Sequence, residues 1–125
     1  MDARILLIED NPANLELALY LLQARGHTVL CATDGAMGCQ LAQTERPDLV
    51  LSDLGMPVID GYEVVRRLRA DPACSGLAIV ALTAYSMPGD HARVLSSGFD
   101  GYLSKPIDPE TFGQQVEAFL PHPGA

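Results

Sequence analysis

Glu9, Asp10 and Asp53 are the residues of this chain best placed to do chemistry. The acidic pair ends the apolar run Arg4–Ile8, and Asp53 ends the run Leu49–Ser52. Such runs read as strands of a parallel sheet, and in an open parallel sheet ligands bind beyond the carboxyl ends of the strands. Three carboxylates gathered there repel one another unless a cation neutralises them. Oxygen donors on few protein groups suit Mg²⁺ better than zinc or copper. Two further strand ends carry chemical groups, Thr83-Ala84 and Ser104-Lys105-Pro106. A nucleophilic carboxylate at Asp53, a metal on the acidic pair, the Thr83 hydroxyl and the Lys105 ammonium are the parts needed to accept a phosphoryl group and neutralise its oxygens. Ala84, small and next to Thr83, leaves room for the incoming group.

The elements that must position these groups follow from the hydrophobic pattern. Short apolar runs near 4–8, 28–32, 48–52, 78–82 and 101–104 alternate with amphipathic stretches near 12–25, 35–44, 61–70, 89–97 and 109–120. Five strand–helix units with continuously apolar strands predict an α/β fold, a five-stranded parallel sheet with helices on both faces. Asn11-Pro12 and Asp108-Pro109 have the form of an N-cap followed by proline at the first helical position, and Gly26 and Gly98 stand where helices should stop. Asp60-Gly61 is good turn chemistry.

Composition narrows the function classes. A chain of 125 residues, 48% hydrophobic, is the size of one domain with a self-sufficient core. We expect the domain over residues 1–121, with 122–125 as a frayed end. The net charge of -8, with only eight scattered basic residues, argues against a nucleic-acid surface. Cys31, Cys39 and Cys74 form no disulfide or zinc pattern, which predicts a reduced, cytoplasmic setting. No run approaches the roughly 18 apolar residues of a membrane span.

With these motifs the chain resembles the response-regulator receiver domain over essentially its whole length. The resemblance lies in Glu9-Asp10-Asn11, Asp53-Leu-Gly-Met-Pro57, Asp60-Gly61, Leu82-Thr-Ala84 and Lys105-Pro106. In finer detail it is similar to DivK-type receivers and to those of hybrid histidine kinases. The resemblance implies the CheY-like, flavodoxin-like strand order 2-1-3-4-5. It implies that Asp53 accepts a phosphoryl group from a sensor histidine kinase or a histidine phosphotransfer protein. It further implies Mg²⁺ on Asp10, Asp53 and the Gly55 carbonyl, with Glu9 acting mainly through water. Thr83 and Lys105 would contact the phosphoryl oxygens, and Tyr102 would swing as Thr83 moves, altering the face made by the fourth helix, fifth strand and fifth helix toward a protein effector or a second copy. A cis Lys105-Pro106 peptide belongs to the same pattern. Glu9 is Asp in many such domains.

Two rivals fare worse on the residues. A mononucleotide-binding flavodoxin wants a phosphate cradle after the first strand, where Glu9 and Asp10 would repel it. A haloacid-dehalogenase-like phosphatase wants a second aspartate two residues after the nucleophile as general acid, and Gly55 stands there.

His27, His91 and His122 share no ligand spacing and read as ordinary surface or cap residues. On the first helix Leu17, Ala18, Leu21, Leu22 and Ala24 cluster as the core side, with Glu16 and Gln23 toward solvent. Leu15 and Leu19 fall between, an apolar ridge that could dock a partner helix bundle.

Overall fold

The computed structural model describes residues 3–84 and 88–120. Five parallel strands, β1 (Arg4–Ile8), β2 (Thr28–Ala32), β3 (Leu49–Asp53), β4 (Ala78–Thr83) and β5 (Gly101–Ser104), alternate with helices α1 (Pro12–Ala24), α2 (Gly35–Glu45), α3 (Gly61–Ala70), α4 (Pro88–Ser96) and α5 (Phe112–Glu117). The sheet order is 2-1-3-4-5, as the resemblance implies. The expected 1–121 boundary and frayed end fall partly outside the described residues.

Successive side chains of a strand point to opposite faces, so a sheet covered on both sides needs strands that are apolar throughout. Leu6, Ile8, Val50 and Ile79 pack with Val64, Val65 and Leu68 of α3, Cys39 and Ala42 of α2 and Val94 of α4. Ile5, Leu7, Leu49, Leu51, Val80 and Leu82 face the other way, onto Ala18 and Leu22 of α1 and Phe112 and Val116 of α5. On α1, Ala24 is exposed and does not join this core.

Side chains set most helix starts as the sequence suggests. Asn11 accepts from the Asn14 amide at 3.0 Å, Asp34 from Met37 at 2.7 Å and Asp60 from Glu63 at 3.0 Å, each satisfying an orphan amide of a first turn. Gly26 and Gly98 adopt positive φ of 92° and 113° after their helices. The Asp108-Pro109 signature is different. The Asp108 carbonyl accepts from both Thr111 and Phe112, and its side chain from Glu110, so residues 109–111 form a turn and α5 begins only at Phe112. At the other end the Phe119 and Leu120 amides bond three residues back and close the helix early.

Two polar clamps tie the edge of the sheet opposite the carboxylates. Arg69 donates to the carbonyls of Gly98 (2.9 Å) and Leu77 (2.6 Å) and to Asp100 (2.9 Å), which also accepts from the Ile79 amide. The second clamp corrects the reading of His27 as a surface or cap residue. His27 is buried; its Nδ1 accepts from the Ala3 amide at 3.1 Å, so Nε2 carries the proton and donates to Glu117 at 2.8 Å. Glu117 also takes two bonds of 2.7 Å from Arg25.

The Arg25 hydrogen bonds, helped by His27 and opposed by burial, hold the Glu117 carboxyl at about 2, against an ordinary 4.5. A carboxylate lowered on folding stabilises the fold fully above its unfolded pKa, and that contribution is lost as pH falls from 4.5 toward 2. Because Arg25 is partly exposed, Glu117→Gln should cost about 1–2 kcal/mol at pH 7. Urea unfolding at neutral pH and near pH 3 should show the difference between variant and wild type shrinking in acid.

Candidate functional site

Strand register brings the carboxylates together. Ile8 pairs with Ser52 across β1 and β3, so the next residues out, Glu9 and Asp53, are neighbours at the carboxyl edge. The chain leaves β1 for β2 on one side and returns to β3 on the other, which makes this edge the topological switch point. The Glu9 amide is held by the Ala32 carbonyl at 3.0 Å, and Leu54 donates to Leu82 at 3.3 Å. Thr83 pairs with Ser104 on β5, and the Lys105 amide donates to the Thr83 carbonyl at 2.8 Å. The Lys105-Pro106 peptide is cis, as expected.

Asp53, Leu54, Gly55, Thr83, Ala84 and Lys105 line an open cavity of about 180 Å³. Of these, Leu54 has no role legible in its residue type, because a buried leucine carries no chemical signal. Asp53 and Thr83 are buried, Ala84 is exposed at the rim, and Lys105 enters from the side. The ammonium lies 2.9 Å from Asp53 Oδ1 and 3.4 Å from Glu9 Oε2. The Gly55 amide also donates to Asp53 Oδ1, at 3.3 Å. Asp53 Oδ2 takes no hydrogen bond among the described residues.

The electrostatics follow from crowding. Burial, then the Asp53 charge, push the Glu9 carboxyl above its usual range, while the Asn11 amide and Lys105 pull the other way. Burial alone would lower Lys105, but the hydrogen bond and charge of Asp53, joined by Glu9, outweigh it and hold the ammonium above its usual value. Oxygens of Glu9, Asp10 and Asp53 lie within 4.8 Å of one another, with Asp10 the exposed member. Glu9 Oε1 accepts from the Asn11 amide at 3.1 Å, whereas the fully buried Glu9 Oε2 has the Lys105 ammonium at 3.4 Å and no well-aligned hydrogen bond among the described residues. Three clustered carboxylates with a single ammonium among the described residues against them fit a hard divalent cation.

The other expected residues lie outside the cavity. Tyr102 is half-buried on β5, against the core face that holds Val94, and stacks on His91. His91, read from the sequence as a surface or cap residue, is half-buried and has this ring contact in addition. Leu15 is half-buried and packs against the core, and Leu19 is half-buried one turn further along α1. His122 lies outside the described residues.

An acidic cluster, a strand-end aspartate and a facing lysine at the switch point of a five-stranded parallel sheet define a receiver. The chain belongs to the response regulator receiver domain family, whose pattern matches residues 5–117. The polar-differentiation response regulator DivK of Brucella anthropi is 32% identical over 120 residues, 96% of this chain and 98% of DivK. The chemotaxis response regulator CheY4 of Vibrio cholerae is 30% identical, with a TM-score of 0.90 over 96% of this chain and 100% of that one. The receiver domain of sensor histidine kinase PA1611 from Pseudomonas aeruginosa is 33% identical, with a TM-score of 0.86 over 95% of this chain and 98% of that one, and it holds a magnesium ion in its active site cleft. The protein is thus a signalling switch of the two-component class rather than a classical enzyme. No helix of the described residues is long and apolar enough to cross a membrane.

Proposed function

We propose that Asp53 is the phosphoacceptor and that the surrounding groups promote both its phosphorylation and its dephosphorylation. The observation that carries this is the placement of the Lys105 ammonium between Asp53 and Glu9, with Thr83 in the same cavity. The Asp53 carboxylate attacks the phosphorus of a phosphohistidine; a P–O bond forms, the P–N bond breaks, and the imidazole leaves with the electron pair. Lys105 and the Thr83 hydroxyl take the charge on the phosphoryl oxygens, and Ala84 leaves space beside them. Hydrolysis of the acyl phosphate by water returns the carboxylate and inorganic phosphate. Asp10, Asp53 and the Gly55 carbonyl would hold Mg²⁺, with Glu9 mainly through water. Bound there, the ion supplies the positive charge that lets an anionic donor approach three carboxylates.

Acetyl phosphate with Mg²⁺ tests this by mass spectrometry. A chelator and Asp10→Ala should each abolish labelling, and Glu9→Gln should slow it about three- to tenfold through weaker ordering of the cation. Labelling that survives the chelator unchanged would remove the metal from the scheme.

The donor is a sensor histidine kinase or histidine phosphotransfer protein, and the setting is cytoplasmic. Phosphorylation would alter the α4–β5–α5 face through Thr83 and Tyr102, toward a protein effector or a second copy of the chain. Leu15 and Leu19 would dock the donor's helix bundle. Since Leu15 shares the core, Leu19→Ser is the cleaner test. It should slow transfer from the cognate donor about fivefold, the loss of one modest interface contact, and leave acetyl phosphate labelling intact. Equal transfer rates would remove the docking ridge.

A further inference from the structure

We infer that His91 is a positioning residue for the switch: its ring holds Tyr102 in the resting position and ties the first turns of α4 to β5. This rests on reading Tyr102 as the aromatic that moves. The two rings lie nearly parallel, 18° apart, with centroids at 4.2 Å. That contact joins the helix to a strand near the helix start. Among the described side chains of α4, from Gly89 to Ser96, Val94 alone is buried. His91 lies three residues before Val94, on the same side of the helix and one turn nearer its start. The other ring contact of α4, the Arg93 guanidinium 4.1 Å over Tyr62, holds the helix to α3.

Tyr102 is therefore shared between two functions. Its ring packs against the core cluster and serves as the platform on which His91 lies. When the tyrosine turns inward toward the space opened by Thr83, the platform goes with it and the start of α4 loses this attachment to β5. A change at the phosphoryl site is thereby converted into freedom of a helix. A stacked aromatic pair biases a two-position equilibrium by about two- to tenfold, enough to set which position dominates at rest and small enough for phosphorylation to reverse.

The test compares wild type, His91→Ala and His91→Phe, each with and without acetyl phosphate and Mg²⁺, by NMR of the Tyr102 ring and by labelling rate. In unlabelled His91→Ala the Tyr102 signals should shift toward their phosphorylated positions, labelling should quicken about two- to tenfold, and amides in the first turns of α4 should exchange faster. His91→Phe, which keeps a flat ring and no imidazole nitrogen, should restore wild-type behaviour. Unchanged Tyr102 signals and labelling in His91→Ala, with a wild-type tyrosine that does respond to phosphorylation, would overturn the latch while leaving the switch reading in place. A wild-type Tyr102 that does not respond to phosphorylation would overturn the switch reading and the latch with it.

Discussion

Asp53→Asn should take up no phosphoryl group from acetyl phosphate, where the wild type gains one. The substitution preserves shape, and the asparagine carbonyl can still accept from Lys105 and the Gly55 amide as Asp53 Oδ1 does at 2.9 and 3.3 Å. What it removes is the anionic nucleophile, without which no acyl phosphate forms. It also relieves the acidic cluster of one charge, so a gain in thermal stability should accompany the loss of labelling. Lys105→Ala separates the roles of the site: labelling should fall at least tenfold with the loss of one charge-stabilising donor, but not vanish. One phosphoryl group on Asp53→Asn, by intact-mass measurement, would place the acceptor elsewhere.

Gly61→Ala should be the most damaging small substitution near the site. A Cβ at this position would lie 2.5 Å from the Asp53 carbonyl oxygen and 2.8 Å from Leu54 Cα, both backbone atoms that no rotamer change can move. Relief requires shifting the strand end that carries Asp53. Overpacking of this kind costs about 2–3 kcal/mol, a fall in Tm of about 8–12 °C for a domain of this size. Labelling should slow by about tenfold or more, because displacement of a nucleophile by even a fraction of an ångström is felt in the rate. Gly55→Ala is the control, since a Cβ there meets nothing within 4 Å and Tm should hold. Equal melting temperatures for the two variants would show that the β3–α3 turn yields freely.

What could be read from the sequence depended on how local each signal is. Strands buried on both faces are almost continuously apolar, so Ile5–Ile8 and Leu49–Leu51 stand out, and the carboxylates that follow them mark the switch point. Asp108-Pro109 carries the same signal as Asn11-Pro12, yet one starts a helix and the other a turn, because the difference lies in which amides claim the Asp108 carbonyl. On α1 a single charged residue, Glu16, leaves the apolar face loosely phased, so the pattern groups the exposed Ala24 with the core side. His27 could not be read as structural because its partners, Ala3 and Glu117, lie 24 and 90 residues away. The pairing of His91 with Tyr102 depends in the same way on how α4 lies across β5. Gly61 looked like turn chemistry, but what demands glycine is close approach to the Asp53 backbone.

The Arg69 clamp gives α4 a fixed end. Its guanidinium grips the Gly98 carbonyl just after the helix while also bonding Leu77 and Asp100, so the far end of α4 is fastened to three parts of the fold. If phosphorylation frees the other end as proposed, α4 would swing rather than slide, with Gly98, at a positive φ of 113°, as the fulcrum, and the displacement would grow with distance from that pin.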